Sequence, residues 1–246
     1  MIIDLSQYNT VTDWEKVKAA VEGVILRMGY TGYGSGKMVY DKKYKDYQAE
    51  VFKRGIPYGI YYFPQSITEA EARAEADFIY KEVKDKQLVL GVWLDSELAE
   101  PGQRSGRADN LTRALRTGFL HIIIDCLKER GIPCGVYAST SWLNNQLDMS
   151  RLQGVPVWCA QWKKECEYKG SYIIWQYSNK GAIPGIVGNV DLNVLHADPV
   201  QETDAELDNA VEVIARRVIA GRFGEGHENR KNSIYALIRQ KVNDII

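Results

Sequence analysis

The sequence predicts an α/β fold: an incomplete (β/α) barrel of about eight strands over residues 1–197, a linker over 198–202 and a small helical C-terminal module over 203–246. Three observations lead there. Short apolar, β-rich runs alternate with amphipathic helical stretches through Ala138, which is the pattern of a parallel sheet covered by helices. After Ala138 the strand-like runs continue with little helix between them. Acidic residues fall at or near the ends of several strands, where barrel enzymes place their chemistry.

The elements follow in order. Ile2 to Leu5 is a strand and Asp13 to Val21 a helix. Gly23 to Met28 is a strand, followed by a glycine- and tyrosine-rich loop from Tyr30 to Lys37. Tyr44 to Arg54 is helical, Tyr58 to Phe63 a strand, and Thr68 to Lys84 a long helix with Glu69 and Glu71 in its first turn. Gln87 to Asp95 is expected as one strand, and a polar loop then runs through Pro101-Gly102. Leu111 to Arg130 is a helix stopped by Gly131 and Pro133, and Cys134 to Ala138 is a strand. Val155 to Gln161, Tyr172 to Tyr177 and Val190 to Val194 complete the set of strands.

Composition narrows the function. The 246 residues carry 31 basic and 32 acidic side chains, a net charge of −1, with no basic arm or lysine run, which speaks against a nucleic-acid binder. Aromatic residues make up 11% of the chain, and aromatic faces suit both cores and the apolar faces of sugar rings. No apolar run approaches membrane-spanning length, so no membrane insertion is expected. Met1-Ile2-Ile3-Asp4-Leu5 enters a strand without a basic n-region or an apolar h-region, so synthesis without signal-driven export is expected. Cys126, Cys134, Cys159 and Cys166 form no C-x-x-C pair and have no histidine cluster beside them, which argues for free thiols rather than zinc.

The chemistry concentrates in Gly91-Val92-Trp93-Leu94-Asp95-Ser96-Glu97. Strand side chains alternate between faces, so Asp95 and Glu97 point the same way with Cα atoms roughly 7 Å apart. Two carboxyls at that spacing cannot both ionise freely, and one is held protonated toward neutral pH. A protonated acid beside an ionised carboxylate is what cleavage of a glycosidic bond requires. The bland alternative is a solvated strand edge; Asp4 and Asp191 at other strand ends weigh against it. A serine or cysteine triad lacks a base, because His121 lies in an apolar helix, His196 in the linker and His227 in a glycine-rich turn. Oxygen ligation of Mg²⁺ or Ca²⁺ by the four acids is the weaker alternative, and no cofactor is expected.

A series of motifs then occurs in one order: Asp4-Leu5-Ser6, Arg27-Met28-Gly29-Tyr30, Gly59-Ile60-Tyr61-Tyr62-Phe63, Leu94-Asp95-Ser96-Glu97, Gly135-Val136-Tyr137-Ala138-Ser139, Trp158-Cys159-Ala160-Gln161-Trp162, Trp175-Gln176-Tyr177-Ser178 and Val190-Asp191-Leu192-Asn193. This series resembles glycoside hydrolase family 25, the muramidases of bacteria and their phages, over roughly residues 1 to 197. The resemblance implies a flattened barrel with eight strands and five helices. It implies hydrolysis of the β-1,4 bond from N-acetylmuramic acid to N-acetylglucosamine in bacterial cell-wall peptidoglycan. By motif, Glu97 is the general acid/base, Asp95 steers the acetamido group, and Asp4 and Asp191 complete the acidic floor. For an endolysin of this kind the chain stays in the host cytoplasm until it is released to the wall. A glycan-binding barrel without turnover and a chitin-type hydrolase are the competing functions.

Six further residues are candidates for substrate binding. Tyr61 shares strand parity with Gly59 and Phe63 and belongs either to the cleft or simply to the core. Arg27, near a strand end, holds a carboxylate of the cluster or of substrate, or else is a rim charge. Trp175 and Gln176 alternate in direction, so at most one faces inward. Tyr137 and Gln161 are cleft candidates by motif.

Beyond the Pro-containing linker, Leu207, Ala210, Val211, Ile214, Ala215 and Val218 recur at helical spacing, as do Ile234, Leu237, Ile238, Val242 and Ile245. From Thr203 onward there are seven acids and seven bases, so charge attraction alone drives no binding. The stretch Val218-Ile219-Ala220-Gly221-Arg222-Phe223-Gly224-Glu225-Gly226, with Arg230 and Gln240-Lys241-Val242-Asn243, resembles a short wall-binding repeat of phage endolysins. It occurs once, with Glu225 in place of an expected Asn.

Overall fold

Eleven strands, five α-helices and one short 3-10 helix, Met149–Arg151, occupy residues 1–195, the part of the chain that the computed structural model describes. The linker at 198–202 and the helical module at 203–246 lie outside the described residues. In chain order the elements are β1 (Ile2–Leu5), β2 (Thr10–Val11), α1 (Trp14–Ala20), β3 (Gly23–Thr31), β4 (Met38–Tyr40), α2 (Tyr44–Arg54), β5 (Tyr58–Phe63) and α3 (Glu69–Val83). They continue as β6 (Val92–Asp95), α4 (Arg113–Lys128), β7 (Cys134–Ser139), α5 (Thr140–Asn145), β8 (Val157–Ala160), β9 (Ile174–Gly181), β10 (Ile186–Val187) and β11 (Val190–Leu195).

Eight strands close on themselves in the order β1-β11-β9-β8-β7-β6-β5-β3, because β1 pairs with both β11 and β3. Seven run parallel and β11 runs against both of its neighbours. The hydrogen-bonded ring is therefore complete. What is incomplete is the helical layer, since no helix joins β8 to β9 or β9 to β11.

The helix starts are written locally. Asp13 accepts from the Glu15 and Lys16 amides at 3.1 Å and caps α1. Thr68 accepts from the Glu71 amide at 3.2 Å, while the Glu71 carboxylate reaches back to the Ile67 amide at 2.8 Å, a near relative of the capping box. Ser139 caps α5, a helix the sequence pattern does not announce.

Three strand expectations change. The Gln87 to Asp95 strand begins only at Val92, because Gly91 takes a positive φ of 76° and turns the chain. The expected loop from Tyr30 to Lys37 is shorter, since β3 runs to Thr31 and returns as β4, an extra strand outside the ring. A two-stranded ribbon, β2 with β10, forms apart from the barrel.

Side-chain alternation separates two cores. Outward residues such as Ile3, Leu5, Val24, Leu26, Tyr62 and Leu94 pack under the helices. Inward residues Ile2, Ile25, Trp93, Trp158 and Ile174 fill the barrel, each contributing on the order of 1.5–3 kcal/mol by burial. Gly135 makes room for them: a Cβ there would lie 2.4 Å from the Trp93 ring and 2.6 Å from the Pro156 carbonyl. This apolar plug is the floor on which the polar residues of the next layer stand.

Candidate active site

The inward positions next along the strands are polar. Asp4, Arg27, Tyr61, Asp95, Tyr137, Gln176 and Asp191 share strand parity with the plug residues and lie toward the C-terminal rim of the parallel strands. Asp191 joins them from the other direction. It is the second residue of antiparallel β11 and stands directly across from Asp4 in the ladder.

Asp4 is buried, and its Oδ2 accepts from Gln176 Nε2 at 3.0 Å and Asn193 Nδ2 at 2.9 Å. Burial first, and the Asp191 charge second, hold its carboxyl well above the usual carboxylate range. The two acids act on each other in opposite senses, Asp191 raising the Asp4 carboxyl and Asp4 lowering that of Asp191. Asp191 is itself raised by burial.

Asp95 is likewise buried and raised well above its ordinary range, by desolvation first and by Glu97 second. Its Oδ1 has no hydrogen-bond partner among the described residues. Glu97 sits just past the end of β6, exposed at its surface yet with much protein around its carboxyl. That crowding, and then the Asp191 charge, push its carboxyl up to about 7, while Arg27 pulls it down. The four acids thus form a coupled set whose protonation belongs to the group as a whole.

Arg27 faces this set without forming an ion pair with it. Its Nε donates to Asp41 Oδ2 at 2.7 Å, and its guanidinium lies 5.0 Å from the Tyr8 ring centre and 5.5 Å from that of Tyr30. From there its charge lowers both Asp95 and Glu97. Tyr61 packs edge-on to Trp158 with ring centres 6.2 Å apart, and its hydroxyl lies within the field of Asp4, Asp95 and Glu97. It serves the core and the site at once, with its phenol held neutral by burial. Tyr137 packs on Trp158 at 4.6 Å and donates to Gln176 Oε1 at 3.0 Å.

Gln176 is the inward member of the Trp175–Gln176 pair. Trp175 is on the opposite face, with its indole N–H donating to the Gln161 carbonyl at 2.9 Å. The Gln161 side chain is also turned away from the acids: it binds Glu167 through a 2.9 Å bond to Oε2 and a 2.6 Å bond from the Glu167 amide. The structure brings eight of the ten sequence candidates together and leaves Trp175 and Gln161 outside the acid cluster.

Three residues of the site escaped the sequence. Asn193, fully buried, bridges Asp4 and the indole N–H of Trp158, which it accepts at 2.8 Å. Its parity with Asp191, two residues earlier on β11, was the available sign. Asp41 anchors Arg27 and also accepts from the Gln7 and Lys43 amides at 2.9 Å each. Trp162, 57% exposed, donates to Gln176 Oε1 at 3.0 Å. Elsewhere His121 pairs with Asp125 on the exposed side of α4, 3.1 Å away. Among the described residues no group of three or more His, Cys, Asp or Glu side chains is placed to hold a metal ion.

A closed α/β ring with a carboxyl cluster at its C-terminal rim is a barrel built for acid–base chemistry. The chain belongs to glycosyl hydrolases family 25, whose model it matches over residues 3–186. It is 23% identical over 192 residues to the autolytic lysozyme of Clostridium acetobutylicum, covering 78% of this chain and 54% of that protein. It is 22% identical over 153 residues to lysozyme-like protein 1 of Caenorhabditis elegans, covering 62% of this chain and 46% of that protein. The chain thus spans about half the length of these relatives. Among solved structures, the modular autolysin LytC of Streptococcus pneumoniae in complex with a synthetic peptidoglycan ligand superposes with a TM-score of 0.69. Its identity is 28%, covering 79% of this chain and 46% of LytC. The catalytic domain of endolysin ply40 from Listeria monocytogenes bacteriophage P40 shares the fold, at 21% identity, TM-score 0.62, and coverage of 80% of this chain and 93% of that domain.

Proposed function

We propose that this chain is a peptidoglycan muramidase that hydrolyses the β-1,4 bond from N-acetylmuramic acid to N-acetylglucosamine. The observation that carries the proposal is Glu97, an exposed residue just past β6 whose carboxyl is pushed up to about 7, standing beside a buried Asp95 with an unpartnered Oδ1. At neutral pH Glu97 keeps a proton for much of the time and gives it to the glycosidic oxygen as the bond breaks. Asp95 steers the acetamido group of the muramic residue. Water then completes hydrolysis, and Glu97 takes back a proton from it. The same residues serve whether the intermediate is covalent or formed by the acetamido group.

Asp4, Asp191, Gln176 and Asn193 form the floor that fixes this pair, and Arg27 limits how far the carboxyl proton affinities rise. Cell-wall peptidoglycan is accordingly the partner. The chain remains in the cytoplasm of its host until released to the wall, and residues 203–246 dock on the wall surface. A truncation ending at Asp198 then cleaves soluble muropeptides but sediments less with intact walls; equal sedimentation refutes the docking role.

Mass spectrometry of products from defined peptidoglycan tests the activity. New muramic reducing ends are expected. Glucosamine reducing ends would identify a glucosaminidase, and free amines without reducing sugar an amidase or peptidase. Tight binding without cleavage would identify a glycan-binding barrel, and preference for chitin oligomers a chitin-type hydrolase. Glu97→Gln keeps the shape of the side chain but cannot deliver a proton, so kcat is expected to fall by roughly 10²–10⁴-fold with binding retained. Near-normal turnover in Glu97→Gln would overturn its assignment.

A further inference from the structure

The connection from β8 to β9 lacks the helix that covers the other parallel strands, and residues 161–173 close over the outer face of the barrel as irregular chain. Cys166 in that connection and Cys159 on β8 bring their sulfurs to 3.7 Å. Cys159 is buried on the outward side of β8, while Cys166 is only half-buried. We propose that Cys159 and Cys166 are the site of a reversible intramolecular disulfide that staples this connection to the barrel.

Bonding requires the sulfurs to close to about 2.05 Å. The movement falls on Cys166, which belongs to no helix or strand, whereas Cys159 is held in a ladder between β7 and β9. The other two thiols offer no comparable pair. Cys126 and Cys134 are buried, and the polar contact of Cys126 is Arg73, 3.5 Å away.

The chemistry is exchange with a small-molecule disulfide, RSSR. The Cys166 thiolate attacks one sulfur of RSSR, expelling one RS⁻ and forming a mixed disulfide. The Cys159 sulfur, giving up its proton, then attacks Cys166 Sγ and expels the second RS⁻. In balance, two cysteine thiols and RSSR yield one protein disulfide and two RSH. The order of attack follows from the surroundings. Burial pushes the Cys159 thiol up to about 12, so it is the resolving partner, and the Thr140 hydroxyl 3.2 Å from its sulfur can donate to the thiolate as it forms.

The staple bears on the site through one loop. Trp162 lies between the two cysteines and donates to Gln176, which in turn donates to Asp4. On its exposed side that loop is held by the Gln161–Glu167 bonds and the 2.6 Å Lys163–Glu167 pair. A covalent closure over so short a span restricts the unfolded chain and keeps the loop seated.

The full-length protein, reduced and freed of reductant, is titrated with oxidised glutathione and followed by thiol counting and non-reducing peptide mapping. Free thiols are expected to fall from four to two, with a single linked peptide joining Cys159 and Cys166. Thermal midpoints should rise by roughly 5 °C on oxidation and return with reductant. The Cys166→Ser variant should show neither change. A glutathione adduct that persists on Cys166, linkage of a different pair, four thiols that stay free, or linkage without a rise in the thermal midpoint would each overturn the proposal. Thiol counting needs no wall substrate, so its outcome is independent of the muramidase assignment.

Discussion

Replacing Asn193 with leucine removes a side chain that hydrogen-bonds both the acidic layer and the apolar plug. Asn193→Leu keeps the number and branching of the heavy atoms but loses the 2.9 Å donation to Asp4 and the 2.8 Å acceptor for Trp158. Trp158 is 1% exposed, so its indole N–H is left orphaned in the barrel interior at a cost of about 1–3 kcal/mol. Asp4 keeps its bond from Gln176, and losing one of two donors costs about 0.5–1.5 kcal/mol if the carboxyl is protonated. The sum is a loss of roughly 2–4 kcal/mol from a total stability of about 5–15 kcal/mol, which leaves the protein folded but measurably weaker.

Urea unfolding at pH 7, followed by tryptophan fluorescence, measures this as a lower midpoint with an unchanged slope. A double-mutant cycle with Trp158→Phe isolates the Asn193–Trp158 contact, for which a coupling above about 0.5 kcal/mol is expected. Because the Asn193 bond lowers the Asp4 carboxyl, its loss also raises Asp4 further. A stability change below about 0.5 kcal/mol, the range of ordinary surface substitutions, would refute the bridging role.

The upper limb of the pH–rate profile is expected near 7, where Glu97 loses its proton. Asp191→Asn removes the neighbouring charge that raises Glu97 and should move that limb to lower pH; Arg27→Met removes the charge that lowers it and should move the limb to higher pH. Opposite or absent shifts in both variants would contradict the assignment of the limb to Glu97. Stability should follow the same acids. Asp4, Asp95, Glu97 and Asp191 all hold protons more tightly folded than unfolded, so their contribution is fully present below the ordinary carboxylate range and is lost as pH rises through the folded values, from about 4 to about 7 for Glu97. Asp95→Asn removes a buried carboxyl that resists ionisation, and should unfold at a higher temperature than the native chain at pH 7 while turning over substrate poorly. A lower unfolding temperature for Asp95→Asn at pH 7 would show that the native carboxylate is better satisfied than its surroundings indicate.

Much of the site was legible because a strand has a period of two. Alternation put Tyr61 and Tyr62 on opposite faces and did the same for Trp175 and Gln176; the packing then shows Tyr62 and Trp175 outward and Tyr61 and Gln176 inward. Motif alone made Gln161 a cleft candidate, and alternation alone left open which of Trp175 and Gln176 faces inward. Gly91 shows a different limit. Apolar residues ran on from Gln87 to Asp95 in strand fashion, and only the backbone shows that φ is positive at Gly91 and that pairing starts after it.

Strand direction is what no local pattern supplies, and the acid cluster depends on it. Asp4 lies near the end of its strand and Asp191 near the start of its own; in a ring of eight parallel strands Asp191 would stand at the opposite mouth of the barrel from the other three acids. The helix-less return from β9 lets β11 enter the ring reversed, which sets Asp191 opposite Asp4 and places Asn193 one layer deeper, against Trp158. Asp41 is equally non-local, reaching back 14 residues to hold Arg27 over the acids. The incomplete helical layer is therefore tied to the site: by omitting a helix after β9, the fold gains the antiparallel strand of the ring that brings a fourth carboxyl to the rim and raises the proton affinity of Asp4 and Glu97.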